Sequence, residues 1–443
     1  MSNGLTKQHT AKSLLVFALP TIVMMVFMSM YIMIDGIFVA NFVSPDALAG
    51  LNLVVPFTNI LASAAVLVGA GGSVVISRKL GSGQDKEAKE EFSAIVLITV
   101  LFGAVVSVLG FIFADPVLEL LGTPESLYQV AYDYYSVLVL FAIPTLLQVQ
   151  FQYFFVAAGA PTLGMVCIIA GGVTHIILDY VFIILFGMDI SGAALATGIG
   201  YSVPSVVGLI WFAINRKGIL SFTAPRIRLD TLRECAINGS GSTIINIAGG
   251  VVTLLFNRNI VVYLHEIGIS AASIVLYARF MLNSVISGYS SGVAPVISFN
   301  YGRKDQTQVK FLFLTSLKVV LAGSVLVFLS SLLLRDGIVS LFASGEPELA
   351  QLARRGIFLF AFSYLFSGVN TFAASLFSAL NSGKTSALMA CTNTFVFLVA
   401  AMTLLPKLGL GADGVWLATP VAEFLSLCLT IFLLRKNKSR FGY

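Results

Sequence analysis

Twelve apolar runs govern what this chain can become. They cover residues 13–40, 47–77, 92–113, 128–157, 161–186, 191–214, 237–264, 268–298, 309–334, 352–380, 385–405 and 413–434. A helix needs roughly 20 apolar residues to cross the hydrocarbon core of a bilayer, so each run reads as a membrane span. The first is read as a span rather than a cleaved signal peptide, because its run is too long and lacks a convincing cleavage site. Only 11% of the 443 residues are charged and 58% are hydrophobic, whereas a soluble domain is about a quarter charged. That excludes a soluble enzyme, a disordered chain and a nucleic-acid binder. Cys167, Cys235, Cys391 and Cys428 are far apart and show no metal-binding spacing. They read as small apolar residues that need no disulfide.

The basic residues set the orientation. Nineteen Lys and Arg fall in the two terminal segments and the loops on one side, and four (Arg335, Arg354, Arg355, Lys407) fall on the other. The positive-inside rule then places both termini in the cytoplasm. An even number of spans requires the termini to share a side, which agrees.

The chain also repeats itself. Gly187-Met-Asp-Ile-Ser-Gly192-Ala-Ala-Leu195-Ala196-Thr197 returns as Gly409-Leu-Gly-Ala-Asp-Gly414-Val-Trp-Leu417-Ala418-Thr419, and Val75-Ile76-Ser77 with Gly81 returns as Val296-Ile297-Ser298 with Gly302. The offsets are 222 and 221 residues, half the chain. Six spans per copy make the repeats parallel, as in transporters whose two bundles rock about a central site. The expected organisation is all-α and membrane-embedded: twelve transmembrane helices in two pseudo-symmetric six-helix bundles. Residues 1–215 form the first lobe, 216–236 a basic cytoplasmic linker and 237–443 the second lobe.

Charges at membrane depth cost at least ~2.5–3.5 kcal/mol each on insertion scales, which makes them functional candidates. Asp35 lies late in the first span, fifteen residues after Pro20, which is expected to kink that helix and serve as a hinge. His175 and Asp179 stand at i and i+4 in the fifth span, on one helix face, and Thr197 adds a hydroxyl from the sixth. Such a set could take up a proton, or chelate Na⁺ with Asp35 and Asp179 as its carboxylates. Against it stand plainer roles: a cap or interfacial position for either carboxylate, and a hydrogen-bonded packing role for His175. The second half is of opposite sign, with Arg258, Arg279, Lys318 and Glu423. Lys318 reads as a snorkelling side chain. Arg258 and Arg279 either pair structurally with Glu423, the favoured reading, or offer donors to an anionic or zwitterionic substrate. Gln148, Gln152, Tyr153 and Tyr277 are further candidates for a substrate cavity, although aromatic side chains at such positions also suit packing.

Ser378-Ala-Leu-Asn-Ser-Gly383-Lys384-Thr385 resembles a phosphate-binding loop, but Ser378 stands where its first glycine must be and no strand precedes it. No HExxH or GxSxG motif occurs, and the loops leave no room for a catalytic domain. The chain reads as a non-enzyme without an organic cofactor.

With the duplication and Asp35 established, the sequence resembles the multidrug and toxic compound extrusion (MATE) family from about residue 12 to 435. The resemblance rests on Leu19-Pro20 followed by Asp35, on Gly159-Ala160-Pro161, on Asp179 with Gly192 to Thr197, and on Pro295-Val-Ile-Ser-Phe-Asn300-Tyr301-Gly302. It implies a monomeric inner- or plasma-membrane antiporter of two six-helix lobes in a V. Such a protein would export small organic compounds, often cations, in exchange for H⁺ or Na⁺ by alternating access. Within the family the chain looks DinF-like, a branch with its cation site in the first lobe, where Asp35, Asp179 and Thr197 match. It departs from the usual pattern in carrying His175 where that branch has asparagine, which tilts the expectation towards H⁺. Its basic second lobe widens the expected substrates to anionic or zwitterionic ones. A lipid-linked saccharide flippase of related fold and a non-transporting membrane sensor are the alternatives.

Overall fold

Long apolar stretches alternate with short polar turns, and each stretch becomes a helix whose ends are fixed by local chemistry. In this computed structural model, residue 5 and residues 8–342 and 346–443 are described; the side chains of Asp35 and Arg258 lie outside the described residues. Helix α1 (Ala11–Phe42) starts at Thr10, which forms a reciprocal capping box with Ser13. Helix α2 (Pro45–Gly81) starts at Ser44, whose Oγ accepts the Ala47 N–H at 3.0 Å, with Pro45 in the first turn. The first half continues with α3 (Asp85–Ile112), α4 (Ala114–Leu120), α5 (Glu125–Leu140), α6 (Ala142–Ala157), α7 (Pro161–Asp179) and α8 (Asp189–Ile214). The second half comprises α9 (Leu229–Gly302), α10 (Gln306–Leu333), α11 (Arg335–Phe342), α12 (Pro347–Ala361), α13 (Tyr364–Ala379), α14 (Gly383–Cys391), α15 (Val399–Leu404) and α16 (Gly411–Phe441). Among the described residues there is no strand.

Lipid-facing surfaces are visible in the side chains. Helix α3 buries Phe92, Ile95, Val96, Thr99 and Gly103 and exposes Leu101, Val105, Val108 and Ile112 on another face. Water would not tolerate such a stripe on a monomer, whereas lipid does. Among the described residues nine helices are long and apolar enough to cross a membrane, or eleven if each of two bent pairs is one span. The runs at 128–157 and 352–380 are those pairs, α5–α6 bent by 60° and α12–α13 by 51°. Pro144 in the first turn of α6 lacks the N–H that would continue α5, while the second bend, at Phe362–Ser363, contains no proline.

The seventh and eighth runs differ from expectation. No break in helical hydrogen bonding separates them, and α9 is helical over 74 residues. It nevertheless doubles back. A Cβ on Gly268 would lie 2.7 Å from Cγ2 of Ile260, eight residues earlier, where a straight helix would hold them about 12 Å apart. Both ends of α9 also meet the last third of α2, Cys235 beside Gly71 and Phe299 beside Gly81. Straight, the α9 segment between them would span roughly 95 Å.

Two rings of contact show the duplication in three dimensions. A Cβ on Gly81 would collide with the Phe299 carbonyl oxygen, and one on Gly302 with that of Arg78; each pair maps onto the other by the 221-residue offset. Phe92 stacks on Phe222 at 5.2 Å, and their repeat mates Phe313 and Tyr443 pack at 4.6 Å. One buried apolar cluster joins both halves and both ends of the chain, from Leu5 through Val75, Phe154 and Val296 to Tyr443. At the opposite end each half keeps its own cluster, Val39 to Ala194 in one and Ile260 to Ala422 in the other. The halves are therefore two lobes, packed together at the end that carries the termini.

Candidate functional site

Helices α7 and α8 bring three of the expected residues together. His175 and Asp179 sit one turn apart on α7, and His175 Nε2 lies 3.2 Å from Asp179 Oδ2. Thr197 Oγ1, from α8, lies 3.1 Å from the same nitrogen. The threonine hydroxyl donates to the Ala193 carbonyl at 2.9 Å. With its hydrogen directed there, Oγ1 has lone pairs left to accept from the imidazole. All three side chains are buried, His175 and Asp179 at 2% exposure. Close approach of the two helices depends on Gly200, where a Cβ would lie 2.8 Å from His175 Cβ.

Asp179 is the chemically unfinished member. Its Oδ2 faces His175, but Oδ1 is buried without a hydrogen-bond partner among the described residues. Buried carboxylate oxygens are normally satisfied, and an oxygen so placed can accept a proton or a small cation. Immediately after Asp179 the helix widens into a π-helical turn, Tyr180–Leu185, a deviation frequent at functional sites.

A small cavity opens beside His175, lined by Met28 and Tyr31 of α1, Gln148 of α6, and Tyr201 and Pro204 of α8. The Tyr31 ring meets the His175 ring edge-on at 5.2 Å. Sequence reasoning overlooked Tyr31 and Tyr201. A signal existed, since they stand four residues before Asp35 and four after Thr197, on the same helix faces. Asp35 itself belongs to α1, but its side chain lies outside the described residues. Helix α1 runs through Pro20 without interruption, although Pro20 has no N–H for the Val16 carbonyl.

The other candidates scatter. Gln148 lines the cavity, whereas Gln152 reaches Met25 Sδ at 3.3 Å and Gln150 donates to Thr99 at 3.0 Å. Tyr153 packs on Gly69 of α2, and Tyr277 is exposed on α9. Arg279 lies 5.7 Å over the Phe360 ring. Arg258 lies outside the described side chains, and Lys318 is exposed on α10.

Glu423 is held by amides and forms no ion pair with Arg279 among the described residues; the expected pairing with Arg258 lies outside them. Its carboxylate accepts from Asn370 Nδ2 at 2.8 Å and from Asn393 Nδ2 at 3.1 Å, and Thr430 donates to Asn370 Oδ1 at 2.8 Å. Among the described residues no ion pair reaches it. Thr419, the repeat mate of Thr197, is buried one turn before Glu423 with its hydroxyl unpartnered among the described residues. The lobes thus share a backbone plan and differ in polar chemistry. No group of three or more His, Cys, Asp and Glu side chains among the described residues could hold a metal ion.

At the end carrying the termini, a charged network fastens α2 and α3 to the start of α9. Lys79 Nζ lies 2.6 Å from both oxygens of the buried Glu91 carboxylate, which also accepts from Thr231 at 2.9 Å. Arg228 reaches Glu87 at 2.8 Å and Arg78 reaches Glu234 at 2.7 Å. The segment between α8 and α9 is tied down by Thr223 N–H donating to Ser93 Oγ at 2.9 Å.

Known proteins resemble this architecture along the whole chain. The "Multidrug export protein MepA" of Staphylococcus haemolyticus is 23% identical over 435 residues, covering 97% of this chain and 94% of that protein. The "FAD transporter" of Shewanella oneidensis is 25% identical over 436 residues, covering 96% and 94%. A crystal structure of a MATE protein in complex with MaL6 superposes with a TM-score of 0.93 at 19% identity, covering 100% and 99% of the two chains. The model of the MatE family matches residues 20–181 and 243–403, one match in each lobe. This chain belongs to the MatE family, the multidrug and toxic compound extrusion transporters.

Proposed function

We propose that this protein is a secondary antiporter that exports small organic compounds in exchange for H⁺, or for Na⁺, by alternating access. The observation that carries this reading is the buried His175–Asp179–Thr197 cluster, in which one Asp179 oxygen has no partner among the described residues and His175 lines a cavity in the first lobe. A cation arriving there would join Asp179 and Asp35, shift α1 about Pro20 and reshape the lobe, so that bound compound loses affinity and leaves. This placement of the cation site is also what favours the DinF-like branch. In this scheme the basic end that carries the termini, where the lobes pack together, faces the cytoplasm.

The energetics suffice. One proton crossing ~100 mV gains about 2.3 kcal/mol, and a tenfold pH difference adds about 1.4 kcal/mol. Together these sustain a substrate gradient of a few hundredfold. The test is transport by reconstituted protein under an imposed pH or Na⁺ gradient. Asp35→Asn and Asp179→Asn are expected to abolish gradient-driven export; export at the wild-type rate in both variants would refute the coupling.

A second reading concerns the cargo. Arg279, half-buried on α9, and the relative named as an FAD transporter favour an anionic or zwitterionic compound. Competition between a cationic dye and FAD for uptake into inverted vesicles would separate the two classes.

A further inference from the structure

A second cleft, of about 410 Å³, lies far along the chain from the cation cluster, where α2, α9, α10 and α16 end or begin. Arg78 and Ser82 line it from the first lobe, and Lys304, Asp305 and Arg440 line it from the second. Three cations face one carboxylate. That carboxylate is committed, because Asp305 caps α10 through Oδ1, accepting the Gln308 N–H at 2.9 Å. Arg78 gives one nitrogen to Glu234 at 2.7 Å and keeps further N–H donors of its fork. Lys304 and Arg440 are exposed and form no ion pair among the described residues; the Arg440 guanidinium rests 5.0 Å over the Phe441 ring.

The duplication acts as an internal control on this charge. By the 221-residue offset, Arg78, Lys304 and Arg440 fall opposite Phe299, Gly83 and Ile219, none of them charged. The basic trio is therefore no consequence of the fold that both halves share. Lys304 carries a further sign. Its backbone is left-handed, with φ of +60°, at the position where its repeat mate Gly83 has φ of +78°. Glycine accepts that conformation freely, and another residue is strained by about 1–2 kcal/mol. A strained lysine in a basic cleft points to a role for its ammonium group.

We infer that the cleft binds a phosphate group, either the headgroup of an anionic phospholipid or a soluble phosphate. Two arginines and a lysine supply charge-assisted donors suited to phosphate oxygens. The bound group would bridge Arg78 of one lobe and Lys304 and Arg440 of the other, next to the point where Gly302 meets the Arg78 carbonyl. The site exists only while the lobes touch at this end. A ligand that binds one state alone shifts the population towards it, so phosphate acts as a clamp on the arrangement seen here.

The experiment uses full-length purified protein. Its thermal unfolding is followed in detergent with inorganic phosphate against chloride at equal ionic strength, and in nanodiscs of phosphatidylglycerol against phosphatidylcholine. Spin labels at residues 86 and 307, with Cys391 and Cys428 replaced by serine, report the distance between the lobes. Wild type is expected to gain stability and a narrower, shorter distance distribution with the phosphate source. Lys304→Gly and Arg440→Gln are expected to weaken the response about tenfold or more. Lys304→Gly also relieves the backbone strain, so its lost response cannot be attributed to misfolding. A response to phosphatidylglycerol alone identifies a lipid headgroup, and a response to inorganic phosphate in detergent identifies a soluble ligand. Equal behaviour of wild type and both variants in every arm overturns the proposal. No imposed cation gradient and no exported compound enters these measurements, and pH and counter-cation concentration are matched between arms, so their outcome is independent of the proposed antiport.

Discussion

At the scale of single residues, the two lobes treat buried carboxylates differently. Asp179 has a histidine against one oxygen and, among the described residues, no partner against the other, whereas both oxygens of Glu423 receive amide N–H groups. A buried charge with incomplete partners costs stability, and neutralising it often recovers some. Asp179→Asn is therefore expected to leave the melting temperature in detergent unchanged or higher, although it removes gradient-driven transport. A variant that melts several degrees lower would show that the carboxylate holds the fold rather than a cation. Glu423→Gln should behave in the opposite way. Its new amide would set one N–H donor against another at Asn370 or Asn393, leaving a buried donor unsatisfied. A loss of about 1–3 kcal/mol in unfolding experiments is expected, and full stability would contradict this hydrogen-bond assignment.

At the scale of helices, small residues decide how close two elements come. Helices α7 and α8 approach through Gly200, which faces His175 Cβ. In Gly200→Ala the added methyl would stand 2.8 Å from that atom, closer than real carbon pairs approach, so α8 must retreat. Such overpacking costs typically about 1–3 kcal/mol. The melting temperature should fall, and the Thr197–His175 hydrogen bond should lengthen, with a matching loss of cation-driven transport; an unchanged melting curve would show that the helices give way freely. The helix interruptions belong to this scale too. The i, i+4 placement of His175 and Asp179 could be read from spacing alone, as could the apolar stripe of α3. The 51° bend at Phe362–Ser363 could not, since no proline marks it. The reversal of α9 also left no turn residues that would separate it from an ordinary helix, apart from Gly268.

At the scale of the molecule, the shared apolar cluster and the charged network around Glu91 close one end of the two-lobed structure. The carbonyl of Phe299 rests against Gly81 and that of Arg78 against Gly302, so a side chain at either glycine wedges the lobes apart. Gly81→Ala is expected to shift the protein towards the state open at the termini end. Labelling of a cysteine placed at Ser77, which is fully buried, measures this: it should become reactive in Gly81→Ala and stay protected otherwise. Protection in both backgrounds would show that the lobes do not part at this seam.

Some of this was dictated by the chain as a linear object. Apolar runs of spanning length leave helices in lipid as the outcome, a 221–222-residue repeat produces two like lobes, and four-residue spacing sets His175 beside Asp179, because each follows from period and length along one segment. Which groups meet across segments did not follow. The asparagines that hold Glu423, the tyrosines beside His175, the Lys79–Glu91 lock and the cleft shared by Arg78, Lys304 and Arg440 join residues from 12 to more than 300 positions apart. Packing of helices against one another chose those neighbours, and hydrogen bonds and ion pairs act over a few ångströms of space regardless of distance along the sequence.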